Sequence, residues 1–177
     1  MTDPSPKKQL ILIRHAKSAW ESNVSDDYNR PLALRGINDI NAMAHWLTHQ
    51  TTSIDLILSS SATRAKQTTV QLCHAANLNT AKIHWQKSLY HADPSTLLSH
   101  IHQAPATVRQ LMLVGHNPGL DELLMQLCRD PPPRTQNGKL LTTAAIAILT
   151  LPDGWLALQP HTCHLAQLMR PKQLTAH

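Results

Sequence analysis

Phenylalanine is absent from this chain of 177 residues, and aromatic residues make up only 3% of it. A surface that stacks successive bases therefore has little to be built from, which disfavours binding of RNA or DNA. Acidic residues are also scarce: 11 Asp and Glu stand against 16 Lys and Arg, a formal charge of +5. That excess suits an anionic ligand, yet no basic run exceeds Lys7 and Lys8, so it reads as diffuse. Cysteine is limited to Cys73, Cys128 and Cys163, an odd number without CxxC spacing and in apolar surroundings. The expectation is three buried free thiols in a reducing cytoplasm. The first apolar run, residues 10–13, is too short for a signal peptide or a membrane span, so no membrane association is expected.

What is present is 42% hydrophobic residues in short segments that alternate between two periods. Leu-Ile-Leu-Ile at 10–13 reads as a strand buried on both faces. Residues 34–49 carry Ile37, Ile40, Ala44 and Leu47 at helical spacing, with Gly36 marking the turn into the helix. A second buried strand is expected at 54–58, then Ser59, Ser60 and Ser61 as caps, then a helix with Ala65, Thr69, Leu72 and Ala76 on one face. The same reading places an edge strand at 82–85, a helix at 95–102 entered through Asp93 and Pro94, a buried strand at 110–114 and a helix at 120–128. Residues 129–138, with Pro131, Pro132 and Pro133, form a loop, and 144–151 and 156–158 read as strands. Residues 1–8 are expected to be a flexible tail before one domain at 9–177. The fold class is α/β, a largely parallel central sheet covered by helices on both faces.

In such folds ligands gather at the C-terminal ends of the strands. Arg14 with His15, Arg64 beyond Leu58, and His116 after Val114 all fall at or just past such ends. Two arginines and two histidines converging there would make a cationic pocket, free of carboxylate, suited to a phosphoryl group. A histidine among such donors can attack phosphorus as a neutral imidazole and form a covalent phosphoenzyme. The twelve histidines include the close pairs His100 with His102 and His161 with His164, but none shows the ligand grouping of a zinc site, so no metal or other cofactor is expected.

Three stretches carry a family resemblance. Leu-Ile-Arg-His-Ala-Lys-Ser at 12–18 resembles the Arg-His-Gly signature of the histidine phosphatases, with Ala16 in place of glycine. Residues 58–68 resemble their second arginine motif, and Val-Gly-His-Asn-Pro-Gly at 114–119 the third. Arg30, Pro31 and Leu32 with Gly36, Leu89 with Tyr90, Thr143 with Ala144 and Ala145, and residues 168–171 resemble the SixA branch of phosphohistidine phosphatases in particular. The resemblance implies a phosphoglycerate mutase-like, three-layer α/β/α sandwich. It makes His15 the nucleophile, Arg14 and Arg64 phosphate clamps and His116 a further donor, with Arg30 and Ser18 binding substrate. A phosphohistidine-bearing protein is the implied partner, a phosphate-bearing small molecule an alternative, and the enzyme a monomer.

Many superfamily members that cleave alcohol phosphates use a Glu or Asp to protonate the leaving oxygen. His91 stands where many relatives have Glu, Asp93 reads better as a helix-entry residue, and Glu21, Asp26 and Asp27 lie in a loop of open role. A phosphoimidazole leaves more readily than an alkoxide, so the missing acid favours phosphohistidine. The rivals are a small-molecule phosphatase or phosphoglycerate mutase-like enzyme, and a noncatalytic module that only binds phospho-ligands.

Overall fold

The computed structural model describes residues 7–20, 23–51, 53–151 and 154–175. Six strands form one sheet: β1 (Gln9–Arg14), β2 (Leu56–Ser60), β3 (Ile83–Gln86), β4 (Gln110–Gly115), β5 (Ile146–Thr150) and β6 (His164–Met169), in the order β3-β2-β4-β1-β5-β6. The β1, β2, β3 and β4 pairings are parallel, and only β5 runs against its neighbours. Around the sheet lie α1 (Leu34–Thr48), α2 (Thr63–Ala75), α3 (Pro94–His102), α4 (Gly119–Leu127) and the short α5 (Pro171–Leu174).

The two-residue alternation of a strand sorts the apolar run of β1 between two cores. Leu10 and Leu12 join Leu111 and Leu113 of β4 in a leucine-rich cluster under α3 and α4. Ile11 and Ile13 join Met112, Val114, Ile40, Met43 and Leu72 in a second cluster under α1 and α2. The three-layer α/β/α sandwich is therefore written in the inner strands β1, β2, β4 and β5, which are buried on both sides. Truncating a wholly buried leucine such as Leu12 to alanine would cost about 2–5 kcal/mol.

Local expectations were met unevenly. Asp93 caps α3, accepting from the Thr96 amide at 2.7 Å, with Pro94 opening the helix. Ser59 and Ser60, expected as caps, finish β2 instead, and α2 starts after Ala62 without a side-chain cap. Gly36 lies inside α1, where a Cβ would stand 2.2 Å from the Lys17 carbonyl oxygen. The absent side chain lets α1 close on the segment that follows β1. The strand expected at 156–158 is a 3-10 turn, Trp155–Ala157, which buries Trp155. The last strand is β6, whose exposed and half-buried residues gave no buried apolar run to find. Lys8 is anchored through its Nζ to the carbonyls of Ala106 and Val108. Among the described residues no helix is long and apolar enough to cross a membrane.

Candidate active site

The register of the sheet sets the site. Arg14 pairs with Gly115 across β1 and β4, so His15 and His116 leave adjacent strands side by side, their ring centroids 5.0 Å apart. β2 flanks β4 on the other side, pairing Ser59 with Val114, and Ser60 reaches the His116 ring. The first turn of α2 then carries Arg64 back over His15. The amide of Ala144, a non-glycine residue at φ 62°, donates to the carbonyls of both Arg14 and His15 at 3.2 Å. Such backbone strain persists only where its surroundings hold it, and here it fixes the end of β1.

The hydrogen bonds of His15 define its tautomer. Nδ1 lies 2.8 Å from the Ala16 carbonyl oxygen, which can only accept, so Nδ1 carries the proton. Nε2 keeps its lone pair and accepts from Arg64 Nε at 3.3 Å. Burial, reinforced by the charges of Arg64, Arg14 and Arg30, lowers the His15 pKa to about 3 against the opposing Ala16 hydrogen bond. The ring is neutral at physiological pH.

His116 is held in the complementary state. Ser60 Oγ accepts from the Ala62 amide at 3.3 Å, and its own hydrogen is free to point to His116 Nε2, 2.8 Å away. With the Ser60 hydroxyl donating, the His116 proton resides on Nδ1, which is buried and has no partner among the described residues. Burial, followed by the neighbouring His15 and Arg64 charges, takes its pKa to about 2. The ring is a neutral donor.

The three arginines differ in how they are engaged. Arg14 donates Nη1 to the Leu141 carbonyl at 2.8 Å, and burial lowers its pKa. Arg64 is 2% exposed and gives Nη1 to the Asp27 carbonyl at 2.6 Å and Nη2 to the Asp27 carboxylate at 2.9 Å. Arg30 donates Nη2 to the other Asp27 oxygen at 2.7 Å and packs 4.0 Å from the centre of the Trp20 ring. Arg14 Nε, Arg30 Nε and Nη1, and His116 Nδ1 are buried donors without partners among the described residues. Each such orphan costs about 1–3 kcal/mol if nothing meets it. Their gathering around one neutral imidazole suits an oxyanion.

Ser18 is buried and bridges Leu32, drawing the segment that carries Arg30 toward the end of β1. Asp27 corrects the expected carboxylate-free pocket. Its carboxylate accepts from Arg30, Arg64 and the Tyr90 hydroxyl, the last at 2.7 Å. The Tyr90 hydrogen bond first, then Arg64 and Arg30, hold it below the usual carboxylate range, so it is ionised. The spacing of Asp27 and Arg30, three residues apart, was the available signal; the long-range partners Arg64 and Tyr90 were not visible in sequence. His91, at φ 49°, stacks on Tyr90 at 4.1 Å and places Nε2 3.4 Å from Arg64 Nη2, at the exposed mouth of the site. Asp93 caps α3, and Glu21 lies outside the described residues. No cluster of three or more potential metal ligands occurs among the described residues.

Comparison with known proteins agrees with this geometry. The family model of the histidine phosphatase superfamily, branch 1, matches residues 10–89. An uncharacterized Mycobacterium tuberculosis protein is 31% identical over 164 residues, covering 90% of this chain and 100% of the relative. The chain belongs to the histidine phosphatase superfamily, and its fold is phosphoglycerate mutase-like. Within that superfamily it is of the SixA type, and it is a phosphatase. The phosphohistidine phosphatase SixA of Escherichia coli is 29% identical over 163 residues, 89% of this chain and 96% of that protein. A solved structure of the protein histidine phosphatase SixA complexed with tungstate matches with a TM-score of 0.77 at 26% identity, covering 94% of this chain and 99% of that one.

Proposed function

We propose that the enzyme dephosphorylates phosphohistidine in a protein partner by way of a phosphohistidine on His15. The observation that carries this reading is the pairing of a neutral His15, its Nε2 unprotonated and met by Arg64 Nε at 3.3 Å, with buried unpartnered donors on Arg14, Arg30 and His116. In the first step Nε2 forms a bond to phosphorus while the bond from phosphorus to the substrate imidazole breaks. The departing ring, protonated at its far nitrogen, leaves as neutral imidazole. Arg14, Arg64 and Arg30 hold the phosphoryl oxygens as charge develops on them, and His116 Nδ1 donates to one more. Ser18 contributes by bringing the Arg30 segment to the pocket.

The second step uses the same tautomer. Phosphorylation at Nε2 leaves Nδ1 protonated and bonded to the Ala16 carbonyl. His15 is then itself a phosphoimidazolium, expelled as neutral imidazole when water attacks phosphorus. No step calls for a metal ion.

Substrate class rests on Asp27. It is the carboxylate that meets the site, and it is locked as an anion, so it holds no proton for an alkoxide. A phosphoimidazole asks for none. The tungstate complex of a SixA protein, a tetrahedral oxyanion in a related fold, supports the anion pocket. Three buried free cysteines support a cytoplasmic setting. A phosphomonoester is the second reading, favoured by His91, whose exposed ring at the pocket mouth could give a proton to a leaving oxygen.

The test is hydrolysis of a phosphohistidine protein beside an alkyl phosphate, in chelator, with wild type and His15→Ala and with acid-labile phosphoenzyme trapped by rapid quench. Turnover of phosphohistidine that vanishes in the variant supports the reading. Turnover that survives in His15→Ala sinks the mechanism, and a preference for alkyl phosphate moves the enzyme to the second reading.

A further inference from the structure

A cleft that does not contain His15 opens beside the site. It measures 840 Å³, begins at Arg14, and runs between the start of α1, residues 134–143 and α5. Seven of the chain's 16 lysines and arginines line it, against one of its 11 acids, Asp39. The charge that reads as diffuse in sequence is gathered by the fold onto one wall.

The cations divide by what they do. Arg170 is buried and gives Nε to the Leu140 carbonyl at 2.9 Å and Nη2 to the Pro133 carbonyl at 2.6 Å, while Arg134 donates to the Gly138 carbonyl at 2.9 Å. These two brace the proline-containing loop. Lys17, Lys139 and Lys172 have no carboxylate within 4.0 Å among the described residues, and Arg35 meets Asp39 only at 3.7 Å with 66% of its side chain exposed. Their charge is free for a ligand. The wall is also tied to the catalytic segment, because Lys17 follows His15 by two residues and its carbonyl is packed on Gly36. No lining residue is aromatic, so nothing in the cleft would stack a base.

We propose that this cleft is a docking groove for an acidic segment of the phosphorylated protein partner, which it seats so that the phosphohistidine enters past Arg14. The inference rests on the phosphohistidine reading for its choice of partner. The cleft has room for several side chains, far more than one phosphoryl group needs. Several free cations on one wall select an acidic surface and speed its encounter, an effect that salt weakens.

The test measures binding and turnover separately. A fluorescein-labelled, unphosphorylated peptide with glutamates flanking one histidine is compared by anisotropy with its glutamine counterpart, on wild type and on Lys139→Glu/Lys172→Glu. The expected result is at least about tenfold tighter binding of the acidic peptide at low salt, lost in the double variant and weakened by added salt. Equal binding of the two peptides by wild type, or an undiminished acidic preference in the double variant, overturns the groove. So does a single-stranded oligonucleotide of matched charge that binds more tightly than the acidic peptide and loses that binding in the double variant. Hydrolysis of free phosphohistidine should stay within about twofold in the double variant, since neither lysine contacts the reacting atoms. If neither protein hydrolyses phosphohistidine, the substrate reading fails, and the anisotropy result still decides the groove.

Discussion

Two histidine pairs in this molecule have nearly the same ring geometry. His15 and His116 stand 5.0 Å apart at 51°, and His45 and His49 stand 4.9 Å apart at 49°. The first pair comes from adjacent strand ends, is buried, and faces arginines. The second comes from one turn at the end of α1, is exposed, and is occupied with backbone: His49 Nδ1 donates to the His45 carbonyl at 2.9 Å. Ring proximity by itself therefore carries no chemistry. What separates the pairs is a buried, arginine-lined environment that leaves one ring an unprotonated nitrogen toward the pocket and the other an unpartnered N–H.

Removing the reacting ring is the most severe way to break the comparison. His15→Ala should abolish the trapped phosphoenzyme and lower kcat/KM on the order of 10⁴-fold, measured on phosphohistidine substrate. Arg64→Ala comes next. It removes the donor to His15 Nε2 and both contacts to Asp27, and should cost roughly 10²–10³-fold in kcat/KM. Arg64→Lys should recover little of this, because one ammonium cannot make the planar fork.

Ser60→Ala is a finer instrument, since it leaves both rings in place. It removes the hydroxyl that fixes the proton of His116 on Nδ1, and should cost about tenfold in kcat, the worth of one hydrogen bond. Nitrogen NMR of the rings would read the cause directly. In wild type both rings should stay neutral down to pH 5, with the proton on Nδ1; in Ser60→Ala, His116 should show mixed tautomers.

The same depressed pKa values make a stability prediction. Between the ordinary histidine value of 6.5 and the folded values of about 3 for His15 and about 2 for His116, the unfolded chain binds more protons than the native one. The stability these rings contribute is complete above 6.5 and is lost as pH falls through that window toward the folded values. Chemical denaturation at pH 7 and pH 5 should show this loss, and it should be smaller in His15→Ala. An equal loss in the variant would mean that burial of His15 does not control its charge.

Much of this site was legible in sequence because the strands announce themselves. An apolar run buried on both faces has to stop somewhere, and Arg14, His15 and His116 stand where two of them stop. Arg64 followed from the next strand and helix in the same way. The partners that set the states of these residues were hidden, since Ser60, Asp27 and Tyr90 meet them only through contacts far apart along the chain. Ser60 looked like a cap because serine favours that place; the sheet claimed it through pairing of β2 with β3, where it stands opposite Gln86. The strand β6 was missed because edge burial gave it no apolar signature.

The exposed pair supplies the smallest effect and the strictest control. His45→Ala and His49→Ala should leave kcat/KM within about twofold and stability within about 0.5 kcal/mol, as for surface changes remote from a site. If His45→Ala lowered kcat/KM as Ser60→Ala is expected to, ring proximity outside the pocket would be carrying chemistry. The difference between the two pairs would then have to be sought in geometry rather than in burial beside arginine.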